Sequence, residues 1–319
     1  MNKQVSLVIP VFNESETILS LIQSIREQSL QPDEVIFVDG GSIDQTVSLI
    51  KREIINESRF KLIEAGRAMP GKGRNIGTAA AQHEWIAYTD AGITLDPHWM
   101  MQLVKTRDET GADIVYGNFS PIVNSLFEKA AAIAYVPALQ PGQIRTKSIA
   151  SCLLRKSIWE RAGGFPDWRA TEDLVFIERA DKAATKIATA VTAMVSWKLR
   201  PGLGSTFKKF TLYSAYNVWA GRQAFWHYGI ARQYLFLIPF LLLGIFHHWL
   251  WFLAIPAWLG ARTAKRAWMH RYEYGTKTLL NPVLLFLVAL ITLTIDLATY
   301  TGWVRALLNK QGYRNFSNH

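Results

Sequence analysis

The chain has 319 residues, of which half are hydrophobic and 19% are charged, and its formal net charge is +10. Residues 1–200 hold 23 basic and 23 acidic side chains. The whole positive excess therefore lies in residues 201–319, which contain 12 basic residues and only two acidic ones, Glu273 and Asp296. Basic flanks around apolar, tryptophan-rich runs are typical of membrane attachment, which argues against nucleic acid as the reason for the charge.

Cysteine usage and the N-terminus indicate the compartment. Cys152 is the only cysteine, so no intramolecular disulfide is possible and nothing indicates an oxidising environment. The first apolar run, residues 5–11, is too short for a signal peptide and is better explained as a strand. We therefore expect the polar half of the chain to lie in the cytoplasm.

Short apolar runs alternate with helical patterns over the first ninety residues. The predicted strands cover residues 5–9, ended by Pro10, and residues 34–38, 60–64 and 85–88. The first predicted helix covers residues 16–28 and is capped by Asn13 or Ser15. The second begins at a cap, Ser42 or Asp44, and ends at about residue 57, and the third covers residues 74 to about 82. This alternation predicts a doubly wound α/β fold with its functional loops at the carboxyl ends of the strands.

Five ordered motifs follow these strands and a later turn. They are Val8-Ile9-Pro10-Val11-Phe12-Asn13-Glu14, Val38-Asp39-Gly40-Gly41-Ser42-Ile43-Asp44-Gln45-Thr46, Gly73-Arg74-Asn75-Ile76-Gly77, Tyr88-Thr89-Asp90-Ala91-Gly92, and Gly163-Gly164-Phe165-Pro166 with Thr171-Glu172-Asp173. In order and spacing they resemble family 2 glycosyltransferases over about residues 4–200. The resemblance implies a type-A glycosyltransferase architecture, a single nucleotide-binding α/β domain with a mixed sheet and the acceptor site on its flank.

The resemblance also implies where the nucleotide-sugar donor binds. Asp39 is expected to bond the base or ribose, and the base pocket is expected to be lined by Pro10, Phe12 and Glu14. An Asp that only shapes a turn is the alternative for Asp39, since Asp-Gly-Gly is ordinary turn sequence.

Asp90 resembles the first acid of the family's metal motif, and the resemblance implies that Asp90 and Ala91 also bind the nucleotide-sugar. Gly92 replaces the second acid, which leaves metal dependence open, although one carboxylate with diphosphate and water can hold Mg²⁺ or Mn²⁺.

A basic, glycine-rich segment lies between the second and fourth motifs. We expect this segment to be a loop before the helix that begins at Arg74, with Asn75 contacting the nucleotide-sugar. Its cations are expected to neutralise diphosphate charge, a solvated basic loop being the alternative; they are Arg67, Lys72 and Arg74. The stretch 66–72 fits the start of a P-loop, but Gly73 stands where a Ser or Thr is required, which argues against that site.

Asp173 is the candidate general base. Thr171 is expected to cap a helix over residues 172–184, which puts Asp173 in its first turn, where the helix dipole favours a carboxylate able to take a proton. Glu172 would orient the sugar or a basic side chain. The alternative is that both are ordinary first-turn acids.

Trp197 and Arg200, after a predicted strand over 191–196, resemble a degenerate form of the family's Trp/Arg element at the acceptor site. Trp197 offers a flat face for a sugar ring and Arg200 can reach diphosphate. Packing at a membrane surface is the alternative for both residues.

The sequence predicts three regions: a catalytic domain over 1–200, interfacial amphipathic helices over 201–233 and a membrane region over 234–319. In the last, 282–303 is a predicted membrane helix. A straight helix over 234–259 would be about 39 Å long against a hydrocarbon core of about 30 Å, with His247 and His248 in lipid. A hairpin with these histidines at its far turn fits the length of the segment, keeps the polar rings out of lipid and leaves the basic loop after it in the cytoplasm. One tilted crossing fits the length alone.

Together these features predict a membrane-anchored inverting glycosyltransferase at the cytoplasmic face of the inner membrane. Its expected partners are a nucleotide-sugar, a lipid-linked acceptor and membrane lipids. Two alternatives stay open: a nucleotidyltransferase on a similar sheet, and a catalytically idle membrane scaffold, since Gly40 and Gly92 replace acids frequent in the family.

Overall fold

The structure, a computed structural model, describes residues 4–309. Within them eight strands form one mixed sheet in the order β3-β2-β1-β4-β7-β6-β8-β5. The strands are β1 (Val5–Val11), β2 (Glu34–Asp39), β3 (Phe60–Glu64), β4 (Trp85–Tyr88), β5 (Ile93–Leu95), β6 (Ile114–Ile122), β7 (Cys152–Arg155) and β8 (Ile187–Lys198). Strands β1 to β4 are parallel, and β7 is antiparallel to both of its neighbours.

Helices flank the sheet and form most of the C-terminal part. They are α1 (Ile18–Arg26), α2 (Thr46–Ile54), α3 (Pro70–Ala80), α4 (Trp99–Thr110), α5 (Leu126–Tyr135), α6 (Lys156–Arg161), α7 (Glu172–Ala183), α8 (Leu203–Trp219), α9 (His227–Leu235), α10 (Ile238–Phe246), α11 (Ala254–Met269), α12 (Arg271–Tyr274) and α13 (Pro282–Leu308). The described chain divides into a first unit, residues 4–122 and 142–198, and a second unit, residues 123–141 and 199–309. The segment containing α5 thus belongs with the C-terminal helices.

Apolar side chains cover both faces of the sheet in the first unit. Along β1, Leu7 and Ile9 join the apolar layer on one face, whereas Val8 joins the layer on the other. Successive residues of a strand point to opposite faces, so a strand buried on both sides must be apolar throughout. The mixed α/β sheet predicted from the sequence is confirmed, and it places the carboxyl ends of β1, β2 and β4 at one edge.

The first strand runs past the predicted stop at Pro10. Pro10 pairs with Val38 of β2, while β4 pairs with β1 only as far as Val8. On the side away from β2, Pro10 therefore has no neighbouring strand that would need its missing N–H, and the strand can continue.

The glycine-rich stretch before Arg74 is helical, contrary to the predicted loop. Helix α3 begins at Pro70, whose fixed φ suits a first helical turn. A Cβ added to Gly71 would lie 1.9 Å from the Pro166 carbonyl oxygen, and one added to Gly77 would lie 2.5 Å from Val8 Cγ1. These glycines allow α3 to pack closely on its neighbours, which the loop interpretation missed.

In the second unit, α13 packs against α8 through Gly302, where an added Cβ would lie 2.3 Å from the Thr211 carbonyl oxygen. The segments His227–Phe246 and Pro282–Leu308 are each long and apolar enough to cross a membrane. The first begins seven residues before the predicted membrane segment and ends immediately before His247. A Cβ added to Gly244 would lie 2.5 Å from a ring carbon of Phe252, so the chain folds back on itself at the two histidines.

Candidate active site

Hydrogen bonds join the loops after β1 and β2. The Asn13 backbone N–H donates to Ser42 Oγ at 2.9 Å, and Asn13 Oδ1 accepts from the Ile43 N–H at 2.9 Å. Asn13 was predicted to cap α1, but it adopts a positive φ of 54° and Thr17 is the residue directly before the helix. The predicted cap Ser15 donates its N–H to Asp44 Oδ2, which likewise connects the two loops.

Asp39 lies at the end of β2 and is 3% exposed. Its carboxylate accepts the Gly41 N–H at 2.9 Å and the Ser42 N–H at 3.0 Å, so it shapes its own loop. The predicted base pocket lies beside it: Pro10 is half-buried, and Phe12 is exposed with the Arg169 guanidinium 5.7 Å from its ring centre. Arg169, to which the sequence assigned no role, therefore lies against a predicted donor-binding residue.

The carboxylate of Glu14 faces the fourth motif. Glu14 Oε2 accepts from the Thr17 hydroxyl at 2.5 Å and lies 3.3 Å from the position that a Cβ on Gly92 would occupy. Gly92 has a φ of 79°, a conformation that glycine adopts far more readily than other residues. An acid at position 92 would be strained there and close to the carboxylate of Glu14, which gives a physical reason for glycine.

Arg74 connects the end of β4 to the start of α7. Its Nη2 donates to Asp90 Oδ1 at 2.6 Å, and its Nη1 donates to Glu172 Oε1 at 2.9 Å. The guanidinium is buried and lies 5.4 Å from the centre of the Phe165 ring. Burial alone would lower the pKa of Arg74, but the charges of Asp90 and Glu172 outweigh it and raise that pKa. Arg74 therefore binds carboxylates. The sequence had indicated instead a cation that is accessible to the diphosphate.

Three acids surround this one cation: Asp90, Glu172 and Asp173. Burial, followed by the charge of Asp173, raises the pKa of Glu172 to about 7, despite the opposing effect of Arg74. Burial also raises the pKa of Asp173, with a smaller contribution from Asp90 that adds to it and an effect of Arg74 that opposes it. The group is short of positive charge, which favours retention of a proton or attraction of a further cation.

Asp173 lies in the first turn of α7, as predicted, and its Oδ1 accepts the Leu174 N–H at 2.8 Å. Two details differ from the prediction. Thr171 has a φ of 71° and its hydroxyl does not cap the helix. The pKa of Asp173 is raised, not lowered, because burial outweighs the effect of the helix N-terminus.

Asn75 holds the turn before Asp173. Its Oδ1 accepts the Phe165 N–H at 2.8 Å and the Trp159 indole N–H at 2.9 Å, and its Nδ2 donates to the Phe165 carbonyl oxygen at 2.8 Å. These hydrogen bonds fix the Asn75 side chain against that turn, and its contact with the donor stays a prediction. Arg67 and Lys72 are exposed, Lys72 in the first turn of α3, and both can meet a diphosphate.

Phe165 is a residue to which the sequence assigned no role of its own. Its ring stacks on Phe176 with centroids 3.8 Å apart and meets Tyr88 edge-on at 5.4 Å. It thereby forms an apolar support beneath the Arg74 guanidinium. The sequence signal that could have indicated this role is an aromatic residue directly after a Gly-Gly turn.

The predicted acceptor residues fall in different units. Trp197 lies within β8 instead of after it, in register with Ile93, and its ring centre is 5.0 Å from that of Phe119. Arg200 belongs to the second unit, where its backbone N–H donates to the Tyr135 hydroxyl oxygen at 3.3 Å.

A divalent cation would depend mainly on Asp90. No three His, Cys, Asp or Glu side chains converge as a metal-binding group within residues 4–309. The Asp90 side chain is 38% exposed and only its Oδ1 is bonded to Arg74, so Oδ2 can take part in coordination. These residues fit a cation that takes one protein carboxylate and completes its ligands with diphosphate and water.

Comparisons with known proteins indicate the family and the fold of the chain. Residues 6–164 match the model of the family described as Glycosyl transferase family 2. The chain is 26% identical to EpsH of Bacillus subtilis over 210 residues, 61% of this chain and 60% of EpsH, which is less than two thirds of that relative. It is 27% identical to the succinoglycan biosynthesis protein ExoA of Rhizobium meliloti over 95% of this chain and 94% of ExoA.

A solved structure shares the fold. The crystal structure of S. aureus TarS 1-349 in complex with UDP-GlcNAc covers 93% of this chain and 91% of the TarS chain, with a TM-score of 0.51 at 16% identity. Its similarity agrees with the mixed sheet followed by helices found here. That likeness concerns the fold alone. The family match, together with the ordered motifs and the glycosyltransferase relatives, identifies the chain as a member of glycosyl transferase family 2 and an enzyme of that class.

Proposed function

We propose that the enzyme transfers a sugar, with inversion, from a nucleotide-diphosphate sugar to a lipid-linked acceptor, and that Asp173 is the general base. The observation that carries this proposal is the bridge from Asp90 through Arg74 to Glu172. It joins the acid at the end of β4, where a donor diphosphate is expected, to the residue next to Asp173. The planar guanidinium of Arg74 thus sets the spacing between Asp90, at the expected donor site, and the proposed base Asp173.

The proton transfer uses this arrangement directly. The acceptor hydroxyl gives its proton to the Asp173 carboxylate while its oxygen forms a bond to the anomeric carbon. The bond from that carbon to the diphosphate oxygen breaks, and its electron pair leaves with the nucleoside diphosphate. A raised pKa makes Asp173 a stronger base than an ordinary aspartate, which favours proton acceptance near neutral pH.

Cations would neutralise the charge on the leaving group. A divalent cation, when bound through Asp90, would neutralise diphosphate oxygens, and Arg67 and Lys72 add positive charge from exposed positions. Arg74 holds Asp90 and Glu172 in place and does not replace these groups.

Two observations support an acceptor presented at a membrane. The second unit contains the two segments that are long and apolar enough to cross one. The similarity to ExoA, a succinoglycan biosynthesis protein, extends over 95% of this chain and so includes that unit. Assembly of a lipid-linked polysaccharide precursor is therefore the setting that we propose, at the cytoplasmic leaflet.

The test is to incubate the full-length enzyme with UDP-, GDP- and dTDP-sugars and a membrane lipid extract, beginning with UDP-GlcNAc because TarS was crystallised with it. We expect one donor to release nucleoside diphosphate only when the lipid extract is present, with a glycolipid product of inverted anomeric configuration. Release of pyrophosphate would indicate a nucleotidyltransferase. A retained configuration would overturn the role of Asp173.

A further inference from the structure

Two cations and two tyrosines form a cluster within the second unit. We call Tyr135, Arg200, Lys209 and Tyr213 the Lys209 cluster. The Lys209 ammonium lies 5.8 Å from the centre of the Tyr135 ring and 5.4 Å from the centre of the Tyr213 ring. Arg200 is attached to the same group, because its backbone N–H donates to the Tyr135 hydroxyl oxygen.

Aromatic packing fixes the positions of these rings. Phe210 meets Tyr135 edge-on with centroids 5.3 Å apart, and it meets Tyr213 and Trp226 edge-on at 6.1 Å and 6.2 Å. Lys209 is therefore held against rings that neighbouring helices support, and it is half-buried. Lys208, the preceding residue, is exposed.

The charge of the cluster is not balanced by acids of the unit. The described residues of the second unit contain three acidic side chains. The charge of Glu128 acts on Tyr135, but the carboxylates of all three acids are bonded to groups outside the cluster. Glu128 accepts from the Asn124 N–H, Glu273 accepts from the Leu139 N–H, and Asp296 is bound by Arg262. Burial, followed by the charge of Arg200, lowers the pKa of Lys209 to about 8.

An anion would remove this imbalance. A half-buried ammonium without a counter-charge is unfavourable, and a second cation nearby makes it more so. Phosphate oxygens take strong hydrogen bonds from both ammonium and guanidinium groups. A tyrosine hydroxyl can add a further hydrogen bond, and tyrosines are frequent where polar head groups meet an apolar surface.

We propose that the Lys209 cluster binds the phosphate group of a membrane lipid. The ligand is a lipid because the cluster lies in the unit that carries the two apolar segments and several exposed large apolar side chains, such as Phe246 and Trp249. The proposal rests on the proposed function only in that a lipid-linked acceptor would present such a phosphate. Its test measures binding and not sugar transfer, so the two proposals can fail separately.

The test uses the reactivity of the lysines themselves. Full-length protein is placed in phosphatidylcholine vesicles with or without phosphatidic acid and treated briefly with an amine-acetylating reagent at about pH 8, where an amine of pKa about 8 is half deprotonated. Peptide mass spectrometry then quantifies acetylation of Lys208 and Lys209 separately. Parallel samples contain oleate, which supplies negative charge without phosphate, or inorganic phosphate in plain vesicles.

We expect phosphatidic acid to reduce Lys209 acetylation roughly ten-fold, because a bound phosphate raises the lysine pKa, and to change Lys208 acetylation by less than about two-fold. The protection should be lost in Arg200→Gln and kept in the matched control Lys208→Gln. Equal protection of both lysines, or equal protection by oleate, would mean general surface charge and would overturn the proposal. Protection by inorganic phosphate alone to the same degree would overturn the assignment to a lipid.

Discussion

Arg74 and Glu172 lie 98 residues apart in the sequence, yet Arg74 Nη1 lies 2.9 Å from Glu172 Oε1, with both side chains almost completely buried. A buried ion pair contributes little net stability, since desolvation offsets the attraction, but loss of one partner leaves an uncompensated charge. The pair is thus better understood as a device that fixes the start of α7, and with it Asp173, against the end of β4.

The role of Asp173 predicts a selective loss of turnover. Asp173→Asn should lower turnover by roughly 100-fold or more while donor affinity stays nearly unchanged, because the amide cannot accept the acceptor's proton. Steady-state kinetics with a fixed lipid acceptor and isothermal titration of the donor measure the two effects. Glu178→Gln, a change of an exposed acid on the same helix, is the matched control. Turnover of Asp173→Asn within a few-fold of wild type would remove Asp173 from the mechanism.

The Arg74–Glu172 pair predicts a coupling in stability. At about pH 8, where wild-type Glu172 is largely ionised, Arg74→Met should destabilise the fold by about 3 kcal/mol or more, because Glu172 and Asp90 lose their common cation. Adding Glu172→Gln should recover part of that loss, since the buried charge is then removed. Thermal unfolding of the detergent-solubilised protein measures both variants, and Arg67→Met, at an exposed arginine, should have little effect. Additive losses in the double variant would contradict the coupling.

The raised pKa of Glu172 predicts how stability changes with pH. Burial and the Asp173 charge favour the protonated form in the folded chain, so the folded protein holds this proton while the unfolded chain releases it between about pH 4.5 and 7. Stability should therefore fall as pH rises through this window and level off above it. Glu172→Gln removes the titration, so it should lose about 1–3 kcal/mol less than wild type across the window. If the apparent Tm of wild type and that of Glu172→Gln change in parallel with pH, Glu172 does not titrate as inferred.

Local sequence patterns predicted the sheet and the positions of single acids, but not how those acids are connected. Strand β3 and the first-turn position of Asp173 followed from apolar runs and from helix-start signals, which depend on neighbouring residues. The Arg74 bridge depends on how α3 packs against the turn before α7, which no short pattern encodes. The side-chain cap predicted at Thr171 was also wrong, since that residue adopts a φ of 71°, a left-handed conformation that its sequence neighbours do not predict.

Asp90 predicts a cation-dependent donor site. Asp90→Asn should weaken donor binding in the presence of Mg²⁺ or Mn²⁺ by about ten-fold, or 1.4 kcal/mol, because the cation and the diphosphate bind together. Titration calorimetry with and without the metal measures this, and Glu64→Gln, at an exposed acid on the same edge of the sheet, is the control. If wild type binds the donor equally well after exhaustive chelation, neutralisation of the diphosphate falls to Arg67 and Lys72.

The last prediction concerns how the second unit meets the bilayer. Tyr234 of α9 donates its hydroxyl to Asp296 Oδ2 at 2.8 Å, and Arg262 of α11 donates to Asp296 Oδ1 at 2.9 Å. Residues before and after α10 thus meet at one carboxylate of α13, so the chain between them must leave and return. The edge-on contact of Tyr234 with Trp258, with centroids 5.4 Å apart, agrees with this path. We therefore predict a membrane hairpin with His247 and His248 at its far turn.

Cysteine labelling can test this hairpin because Cys152 is buried and can be replaced by serine. In a Cys152→Ser background, Met269→Cys places a thiol at an exposed position at the end of α11, and Trp249→Cys places one at an exposed position after the two histidines. With an impermeant thiol reagent on intact cells, Met269→Cys should stay unlabelled, because the basic residues around it in α11 and α12 favour the cytoplasm. Trp249→Cys should be labelled, and both should react after the cells are opened. Rapid labelling of Met269→Cys in intact cells would mean that the first segment crosses once, since the basic loop would then lie outside.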